Sequence, residues 1–334
     1  MEYLANTPTA LVVGAHGRFG RVVAGEFARR GWRVRGLVRH GGAGGDAVLP
    51  ATVDVTGGDA RSAHDMIAAA DGADVIVNAA NPAYRNWDPA VLEIAEAVIA
   101  AARTSGAVHL FPGNVYNYGW PMPELLSEMT AQRPSTRKGS IRVEAERRFR
   151  EAADVHGVRT IVLRAGDLYG GTGRGSWFDL VVAEHLSSGR MTYPGPLNVP
   201  HAWAYLPDLA ATFEALARRR GEFDAFEAFH FPGHTVTGED MAAAFEAALG
   251  RPVRSNRMPW WVVRLGAPFV RDWREISEMA YLWHVPHRLD GAKLEMALGD
   301  IPTTSFERAV SDSLAALGFE TRPMEPSARS LVPV

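Results

Sequence analysis

Short apolar runs alternate with amphipathic stretches along the first half of the chain. The runs typical of strands are residues 9–13, 32–38, 47–55, 73–78, 108–111 and 159–164. The stretches with helical spacing are residues 21–30, 59–70, 89–104 and 137–156. Alternation of this kind is typical of a parallel sheet that helices cover on both faces. The pattern therefore predicts an α/β protein with a Rossmann-type, doubly wound parallel sheet.

Glycines with the spacing Gly-x-x-Gly-x-x-Gly follow the first apolar run, at Gly14, Gly17 and Gly20. In a strand-turn-helix unit the first permits the turn, the second lets a pyrophosphate approach the backbone, and the third lets the helix pack against the strand. The helix N-terminus then offers free N–H groups to the phosphates. The motif predicts dinucleotide binding; the alternative is an ordinary glycine-rich turn.

The second half of the chain has a different character. A segment rich in glycine, proline and aromatic residues comes first, followed by helical spacing at 206–219 and 237–249, an apolar run at 226–231 and a last helix near 305–317. We therefore expect a smaller, mostly C-terminal α/β lobe that binds substrate. The predicted division is 1–165 for the nucleotide-binding domain with 205–233 returning to it, 166–204 and 234–320 for the substrate lobe, and 321–334 for a frayed tail.

Composition excludes several classes of function. The 334 residues carry a formal charge of −3 without a basic or acidic block, which argues against nucleic acid or an anionic membrane as the main partner. The absence of cysteine excludes disulfides, thiolate chemistry and cysteine-based metal sites. No secretory signal is evident, and no apolar run reaches the roughly 18 residues of a spanning helix. We expect a soluble, cytoplasmic protein that acts on a small molecule.

The end of the second predicted strand bears on the choice of dinucleotide. Proteins that prefer NAD place an acidic residue there to bind the ribose 2′-hydroxyl. Here the strand ends in Leu37-Val38-Arg39-His40. Arg39 suits a 2′-phosphate, and Arg18 in the glycine loop could clamp the same group; the alternative is that both are surface arginines. The sequence therefore predicts NADP in preference to NAD.

Further motifs follow the glycine loop at 78–80, 111–119, 163–170 and 204–210. With them the chain resembles, over nearly its whole length, the extended short-chain dehydrogenase/reductases of the NAD(P)-dependent epimerase/dehydratase family. In the resemblance, Asp54 at the end of the third strand region is the acidic residue that caps the adenine. The cofactor contacts that the resemblance implies are Gly14, His16, Gly17, Arg18, Phe19, Gly20, Arg39, Asp54, Val55, Ala79, Ala80, Asn81, Arg142 and Gly166.

The chain departs from this family at the catalytic residues. The family uses a Tyr-x-x-x-Lys pair and a Ser or Thr, where this chain has Lys138, Arg142 and Asn114. Arg142 could bind the nicotinamide ribose and, by like-charge repulsion, weaken the hold of Lys138 on its proton. We predict Lys138 as the proton-transfer group with Asn114 as a donor to a carbonyl oxygen, and Tyr116 as the competing acid. Alternatively, Lys138 and Arg142 belong to a solvated helix face.

The predicted substrate contacts are aromatic. They are Tyr84, Tyr116, Tyr169, His201 and Trp203. Together with the altered pair they predict an atypical NADP-dependent oxidoreductase for a small carbonyl or alcohol metabolite. The alternatives are a sugar epimerase or dehydratase and a non-catalytic, NADP-binding regulatory protein.

Two further expectations concern metals and assembly. No His-Glu-x-x-His motif occurs, and the pair His230 and His234 encloses a proline and a glycine that break a helix, so we expect no metal site. The family resemblance also implies a homodimer through a four-helix bundle, which here would involve residues 90–103 and 140–155.

Overall fold

The computed structural model describes residues 7–39 and 49–323, and within them a large central sheet and three small ones. The strands are β1 (Thr9–Val13), β2 (Arg33–Val38), β3 (Val53–Gly57), β4 (Val75–Asn78), β5 (Val108–Asn114), β6 (Leu125–Leu126), β7 (Thr160–Ala165), β8 (Asp167–Tyr169), β9 (Arg190–Tyr193), β10 (His201–Tyr205), β11 (Phe226–His230), β12 (His234–Val236), β13 (Arg254–Arg257) and β14 (Arg288–Leu289). The helices are α1 (Arg18–Arg29), α2 (Ala63–Ala69), α3 (Trp87–Ser105), α4 (Arg137–His156), α5 (Leu206–Arg218), α6 (Gly238–Leu249), α7 (Trp260–Gly266), α8 (Arg271–Ser277), α9 (Ala292–Leu298) and α10 (Phe306–Ala316).

The large sheet has seven strands in the order β11-β7-β5-β4-β1-β2-β3, all parallel. Strands β1, β4 and β7 are buried along their whole length, as expected for strands covered on both faces. Val12 packs on the side of α1 and α5, whereas Leu11 and Val13 pack on the side of α2, α3 and α4. The predicted Rossmann-type, doubly wound parallel sheet is confirmed.

The smaller lobe carries the minor sheets β12-β10-β8 and β13-β9, whereas the third minor sheet, β14-β6, packs in one cluster with Phe111 and Val162 of the large sheet. The core of the lobe is aromatic, with Tyr169, Phe178, Trp203, Phe245 and Trp283 in one buried cluster. After α5 the chain returns to the large sheet, where β11 pairs with β7 and Leu294 of α9 packs in the core. None of the helices in the described residues combines the length and the apolar character needed to cross a membrane.

The third strand shows a larger shift from the sequence prediction than β2, β4, β5 and β7 do. The third strand region was predicted over 47–55, whereas β3 runs from Val53 to Gly57, and residues 47–48 lie outside the described part of the chain. The reason is that β3 is an edge strand of the sheet and only its first residue is buried. An exposed edge strand lacks the apolar run by which the other strands are identified, and the shift moves the carboxyl end of β3 beyond Asp54.

Candidate functional site

The turn between β1 and α1 leaves an open helix N-terminus at the carboxyl edge of the sheet. Gly14 has a φ of +78°, and a Cβ on it would lie 2.9 Å from the Ala80 Cα. A Cβ on Gly20 would overlap the carbonyl oxygen of Gly14. Gly17 is exposed and precedes the first residue of α1, and no side chain caps the helix. Free N–H groups at an uncovered helix start fit a phosphate group.

Two arginines tie the start of α1 to the smaller lobe. The Nε and Nη2 atoms of Arg18 donate to the carbonyl oxygen of Gly170 at 3.0 and 2.7 Å, and its Nη1 lies 2.6 Å from Oδ2 of the buried Asp179. Burial lowers the pKa of Arg18. Arg21 donates to the carbonyl oxygens of His16 and Thr172. The guanidinium of Arg18 therefore bridges two parts of the protein, while Phe19 packs against Phe213 in the core.

Arg39 is exposed directly after the carboxyl end of β2. It lies close to Asp59, which follows β3: hydrogen bonds from Arg61 lower the pKa of Asp59, and the charge of Arg39 lowers it further. Arg39 and Asp59 therefore face each other across the carboxyl ends of β2 and β3.

Asp54 and Val55 are exposed within β3, opposite Arg35 and Gly36 of β2. The carboxyl end of the strand comes only after Gly57. Asp54 is therefore not the last residue of the strand, and its contact with the adenine stays a prediction.

A narrow cavity lies between the carboxyl ends of β4 and β5 and the helix α4. Its walls come from Asn78, Ala80, Asn81, Val91, Ile94, Phe111, Arg142, Ala145 and Phe149. The side-chain oxygen of Asn78 is buried and has no hydrogen-bond partner. The next residue, Ala79, is buried. Ala80 lines this cavity, and its backbone also lies directly behind Gly14. The cavity therefore adjoins the glycine turn through Ala80.

Arg142 is a buried cation without an acidic partner among the described residues. Its guanidinium carbon lies 4.7 Å from the ring centroid of Trp87 and 5.1 Å from that of Phe111. The guanidinium donates to the Pro112 carbonyl oxygen at 3.4 Å, and its Nε is buried and unpartnered. Burial lowers the pKa of Arg142. A charge that is desolvated without compensation is unfavourable, so this site fits a polar or anionic group of a ligand.

Lys138 starts the same helix but faces the smaller lobe. Its ammonium lies 2.5 Å from Oε2 of Glu275 and 2.6 Å from Oε2 of Glu278, and its side chain is only 2% exposed. The backbone N–H of Lys138 also donates to Glu278. Lys138 is therefore neither solvated nor free, because it links α4 to the segment that carries both glutamates. Its Nζ lies 5.2 Å from the ring centroid of Tyr84.

Asn114 and Tyr116 lie at the end of β5. The Oδ1 of Asn114 accepts a hydrogen bond from the backbone N–H of Tyr116 at 3.1 Å. The hydroxyl groups of Tyr116 and Tyr84 are 2.8 Å apart. Burial raises the pKa of Tyr84 to about 12 and that of Tyr116 well above its ordinary value, and the charge of Asp167 acts in the same direction on both. Both phenols are thus held in the neutral form.

Asp167 pairs with His201 across two strands of the smaller sheet. The Nε2 of His201 lies 2.8 Å from Oδ2 of Asp167, and the imidazole stacks on Trp283 at 4.1 Å between ring centroids. Because Nε2 donates a hydrogen bond to the carboxylate, Nδ1 is the ring nitrogen left for another partner. That Nδ1 is buried and has no hydrogen-bond partner. Asp167 was not among the residues selected from the sequence.

Other unpartnered polar atoms surround this pair. They are the hydroxyls of Tyr193 and Tyr281, Nε1 of Trp203 and Nε2 of His287. Buried polar groups normally have partners, so several unsatisfied ones around one carboxylate indicate a place for a polar ligand or water.

Two of the sequence-predicted residues lie elsewhere. Tyr169 is fully buried, and its hydroxyl lies 2.7 Å from Nδ1 of His234, whose Nε2 donates to the Thr304 carbonyl. It therefore packs in the lobe core instead of facing the cleft. Gly166 lies against β10, where a Cβ would overlap the Ala202 carbonyl oxygen. Within residues 7–39 and 49–323, no group of three or more His, Asp or Glu side chains is arranged to hold a metal ion.

Comparison with known proteins places this site in a family context. The family model described as "NAD dependent epimerase/dehydratase family" matches residues 10–229. A comparison with curated proteins finds no match.

Solved structures with the same fold include a UDP-glucose 4-epimerase from Brucella ovis in complex with NAD, at 17% identity and a TM-score of 0.72, with 95% of this chain and 99% of that chain covered. A UDP-glucose 4-epimerase from Thermotoga maritima with UDP-glucose has 15% identity and a TM-score of 0.73, with 93% and 98% covered. A dTDP-glucose 4,6-dehydratase from Streptomyces venezuelae with NAD bound has 16% identity and a TM-score of 0.72, with 93% and 97% covered. At this level of identity the likeness shows the fold.

Proposed function

The chain belongs to the NAD-dependent epimerase/dehydratase family, whose members are enzymes of the oxidoreductase type, and on this premise we propose that it is an NADP-dependent oxidoreductase acting on a small carbonyl or alcohol metabolite. The observation that carries the proposal is the unpaired, buried guanidinium of Arg142. It lines a cavity that adjoins the glycine turn at Ala80, so the buried cation lies near the proposed phosphate site.

The residues of the cleft fit a dinucleotide. The turn at Gly17 and the start of α1 would hold the pyrophosphate, Asp59 and Arg39 the adenosine end, and Arg142 the nicotinamide ribose. When bound, a nicotinamide ring supplies the exchange of a hydride with a carbon atom of the substrate.

The choice of NADP rests on Arg39. No acidic residue stands at the end of β2, and Arg39 is exposed there. Arg18, the second candidate for the 2′-phosphate, already donates to Gly170 and pairs with Asp179. The proposal therefore assigns the 2′-phosphate to Arg39 alone.

Tyr116 is the better-supported proton donor. Its hydroxyl lies 2.8 Å from that of Tyr84 and is a proton donor for a carbonyl oxygen during reduction, although burial raises its pKa and so weakens it as an acid. Lys138 is the second candidate, because its ammonium already donates to Glu275 and Glu278. Asn114 caps Tyr116 and thereby positions it.

His201 is proposed as a substrate contact. Asp167 holds its Nε2 and leaves the Nδ1 lone pair directed away from the carboxylate, so the ring can accept a hydrogen bond from a substrate hydroxyl. Trp203 and Trp283 flank the imidazole and supply an apolar wall. A mixed wall of aromatic rings and single polar atoms suits a small substrate with one or two oxygen functions.

A sugar epimerase or dehydratase is the second candidate function. The observation in its favour is the coverage of nearly the whole chain by structures of such enzymes with UDP-glucose or NAD bound. A diphosphate clamp built on Arg251 is not favoured, since that side chain donates to the Leu186 carbonyl oxygen. Epimerase activity would recycle the cofactor, whereas the proposed reaction consumes it.

A homodimer through α3 and α4 stays a prediction. The exposed side of α4 carries Glu144, Arg147, Arg148 and Glu151, joined by ion pairs within the chain.

The proposal is tested by titration calorimetry with NADPH and NADH, followed by absorbance assays of NADPH oxidation with a panel of aldehydes and ketones. We expect NADPH to bind. We also expect at least one carbonyl compound to be reduced, with one molecule of NADPH oxidised for each molecule of product. Folded protein that binds neither dinucleotide would overturn the proposal. Conversion of a UDP- or dTDP-sugar without net cofactor consumption would favour the second function.

A further inference from the structure

An apolar surface covers the outer side of the helical hairpin formed by α7 and α8. Trp261 and Leu265, one turn apart on α7, are 67% and 68% exposed, and Phe269 in the connecting turn is 88% exposed. Val270 and Trp273 extend this hairpin surface onto α8. Of the twelve exposed large apolar side chains in the described ranges, five lie in these thirteen residues. Such a concentration on one element marks an interaction site.

The opposite side of the hairpin is firmly packed. Trp260 donates from Nε1 to the carbonyl oxygen of Pro194, and Val263 is buried in the lobe core. The two helices approach closely, since a Cβ on Gly266 would overlap the ring of Trp273. The hairpin therefore already buries one apolar face, and the exposed side chains form a second face without a partner in the described chain.

Charges on the hairpin are segregated. Arg264 and Arg271 are exposed and have no acidic group within ion-pair distance among residues 7–39 and 49–323. The acidic side chains of this segment already have partners: Asp272, although exposed, pairs with Arg85, and Glu275 and Glu278 bind Lys138. The outer side of the hairpin is therefore apolar with a basic rim, although the whole chain carries a net charge of −3.

We propose that the hairpin surface docks on an anionic phospholipid surface. Trp261, Leu265 and Phe269 would enter the headgroup region, while Arg264 and Arg271 meet the lipid phosphates. A short, protruding apolar element with a basic rim has the character of an interfacial anchor, and its affinity comes from buried apolar area together with attraction to anionic lipid.

A second copy of this chain suits the surface less well. A two-fold contact would place the same patch on itself and bring the arginines of both rims together without acidic partners. An anionic lipid surface, in contrast, supplies the missing negative charge. The proposal does not depend on the reaction proposed above. It concerns the outer side of an element whose inner side holds Lys138 next to Tyr84.

The test is vesicle co-flotation of the full-length protein with phosphatidylcholine vesicles, with and without phosphatidylglycerol. We expect binding only to the vesicles that contain phosphatidylglycerol, and its loss at high salt. Phe269→Ser and Arg271→Glu should each reduce the bound fraction about tenfold, because one removes the most exposed apolar side chain and the other reverses a charge at the rim. Circular dichroism verifies that each variant is folded.

Two matched controls make the result specific. Met129→Ser removes an equally exposed apolar side chain from another loop, and Arg103→Glu reverses an exposed charge on α3. Both should leave vesicle binding unchanged. Absence of binding to anionic vesicles, or equal losses in the controls, would overturn the proposal. A dimer in solution that Phe269→Ser dissociates, without vesicle binding, would instead assign the surface to a second copy.

Discussion

The Nε2 of His201 and the Oδ2 of Asp167 lie 2.8 Å apart, on strands β10 and β8 of one small sheet. The contact fixes which ring nitrogen carries the proton and which one is left for a ligand. Neither residue belongs to the catalytic set of the family that the chain resembles. The pair is therefore a feature by which this site can differ from those of its relatives.

We predict that His201→Gln and Asp167→Asn lower turnover of the carbonyl substrate. Loss of a positioned hydrogen-bonding or proton-transfer group typically costs a factor of about 10² to 10⁴. NADPH affinity should change little, because neither side chain lines the cavity of Arg142. Steady-state kinetics and calorimetry measure the two effects. His64→Gln is the control, since that side chain is fully exposed on α2. Turnover as high as in the unmodified enzyme would exclude a role for the pair.

Tyr116→Phe and Lys138→Met separate the two candidate proton donors. We expect Tyr116→Phe to lower turnover by about 10² to 10⁴, because it removes only the phenolic proton. Lys138→Met leaves Glu275 and Glu278 facing an apolar group, so we expect chiefly a loss of stability, measured by thermal unfolding. If Lys138→Met abolishes turnover in folded protein and Tyr116→Phe does not, Lys138 is the donor.

Arg39→Asp should reverse or abolish the preference for NADPH over NADH. Charge-assisted hydrogen bonds contribute about 1.5–3 kcal/mol each, so the expected preference of the unmodified protein is on the order of tenfold to a hundredfold. Calorimetry with both dinucleotides measures it. Arg33→Asp, at the opposite end of the same strand β2, is the matched control. Equal affinities for the two dinucleotides that the Arg39 substitution leaves unchanged would contradict the assignment.

Gly17→Val should abolish dinucleotide binding without unfolding the protein. A Cβ on Gly17 would lie 3.1 Å from the Gly14 carbonyl oxygen, which a small shift relieves, but the side chain would occupy the space of the pyrophosphate. Circular dichroism and calorimetry separate the two effects. Gly25→Val, further along α1 where a Cβ meets only an ordinary contact at 3.8 Å, should bind normally. Retained binding in a folded Gly17→Val protein would contradict the placement of the phosphates.

Acid should destabilise the protein below about pH 6.5. Burial lowers the pKa of His109 and His287 to about 3 and that of His230 to about 4. Between these values and the unfolded value of about 6.5, the unfolded chain binds more protons than the folded protein. The free energy of unfolding therefore decreases as the pH is lowered, by up to about 1.4 kcal/mol for each pH unit and each histidine. Urea unfolding over this range measures the slope.

Substitution of a single histidine tests that explanation of the acid sensitivity. His109 packs between Phe111 and Phe149, so His109→Phe removes a titrating group from the core. The slope of the free energy of unfolding against pH should then decrease by the amount that corresponds to about one proton less taken up on unfolding. The exposed His64→Gln variant should keep the original slope. An unchanged slope in His109→Phe would show that the acid sensitivity has another origin.

Helix α4 was predicted well because both of its ends carry local signals, whereas α7, α8 and α9 were not predicted. Helix α4 was predicted at 137–156 and begins and ends there: Thr136 caps its first turn, and Gly157 ends it with a φ of +65°. Strand β3 was misplaced because only its first residue is buried and the strand shows no apolar run. The boundary error placed Asp54 at the end of the strand, whereas it is the second residue of β3.

The polar contacts of the site could not be read from the sequence, because they join distant segments. Asp167 and His201 meet only because β8 and β10 pair in parallel, with Asp167 opposite Trp203. Glu275 and Glu278, which bind Lys138, lie 137 and 140 residues further along the chain. Neither belongs to a local sequence motif that would predict this contact. What the sequence does predict are positions along single strands and helices, such as Arg142 on the face of α4 that turns toward the sheet.

The ion pair of Arg18 with Asp179 has a consequence for ligand binding as a whole. Arg18 is the first residue of α1, next to Gly17, which we propose to face the phosphate, and Asp179 belongs to the smaller lobe. A ligand that orders the first turn of α1 therefore also restrains the lobe. Binding of a second ligand in the lobe then costs less conformational entropy of the protein. Such linkage is reciprocal. Cofactor and substrate should bind with positive cooperativity, and disruption of this one contact should uncouple them.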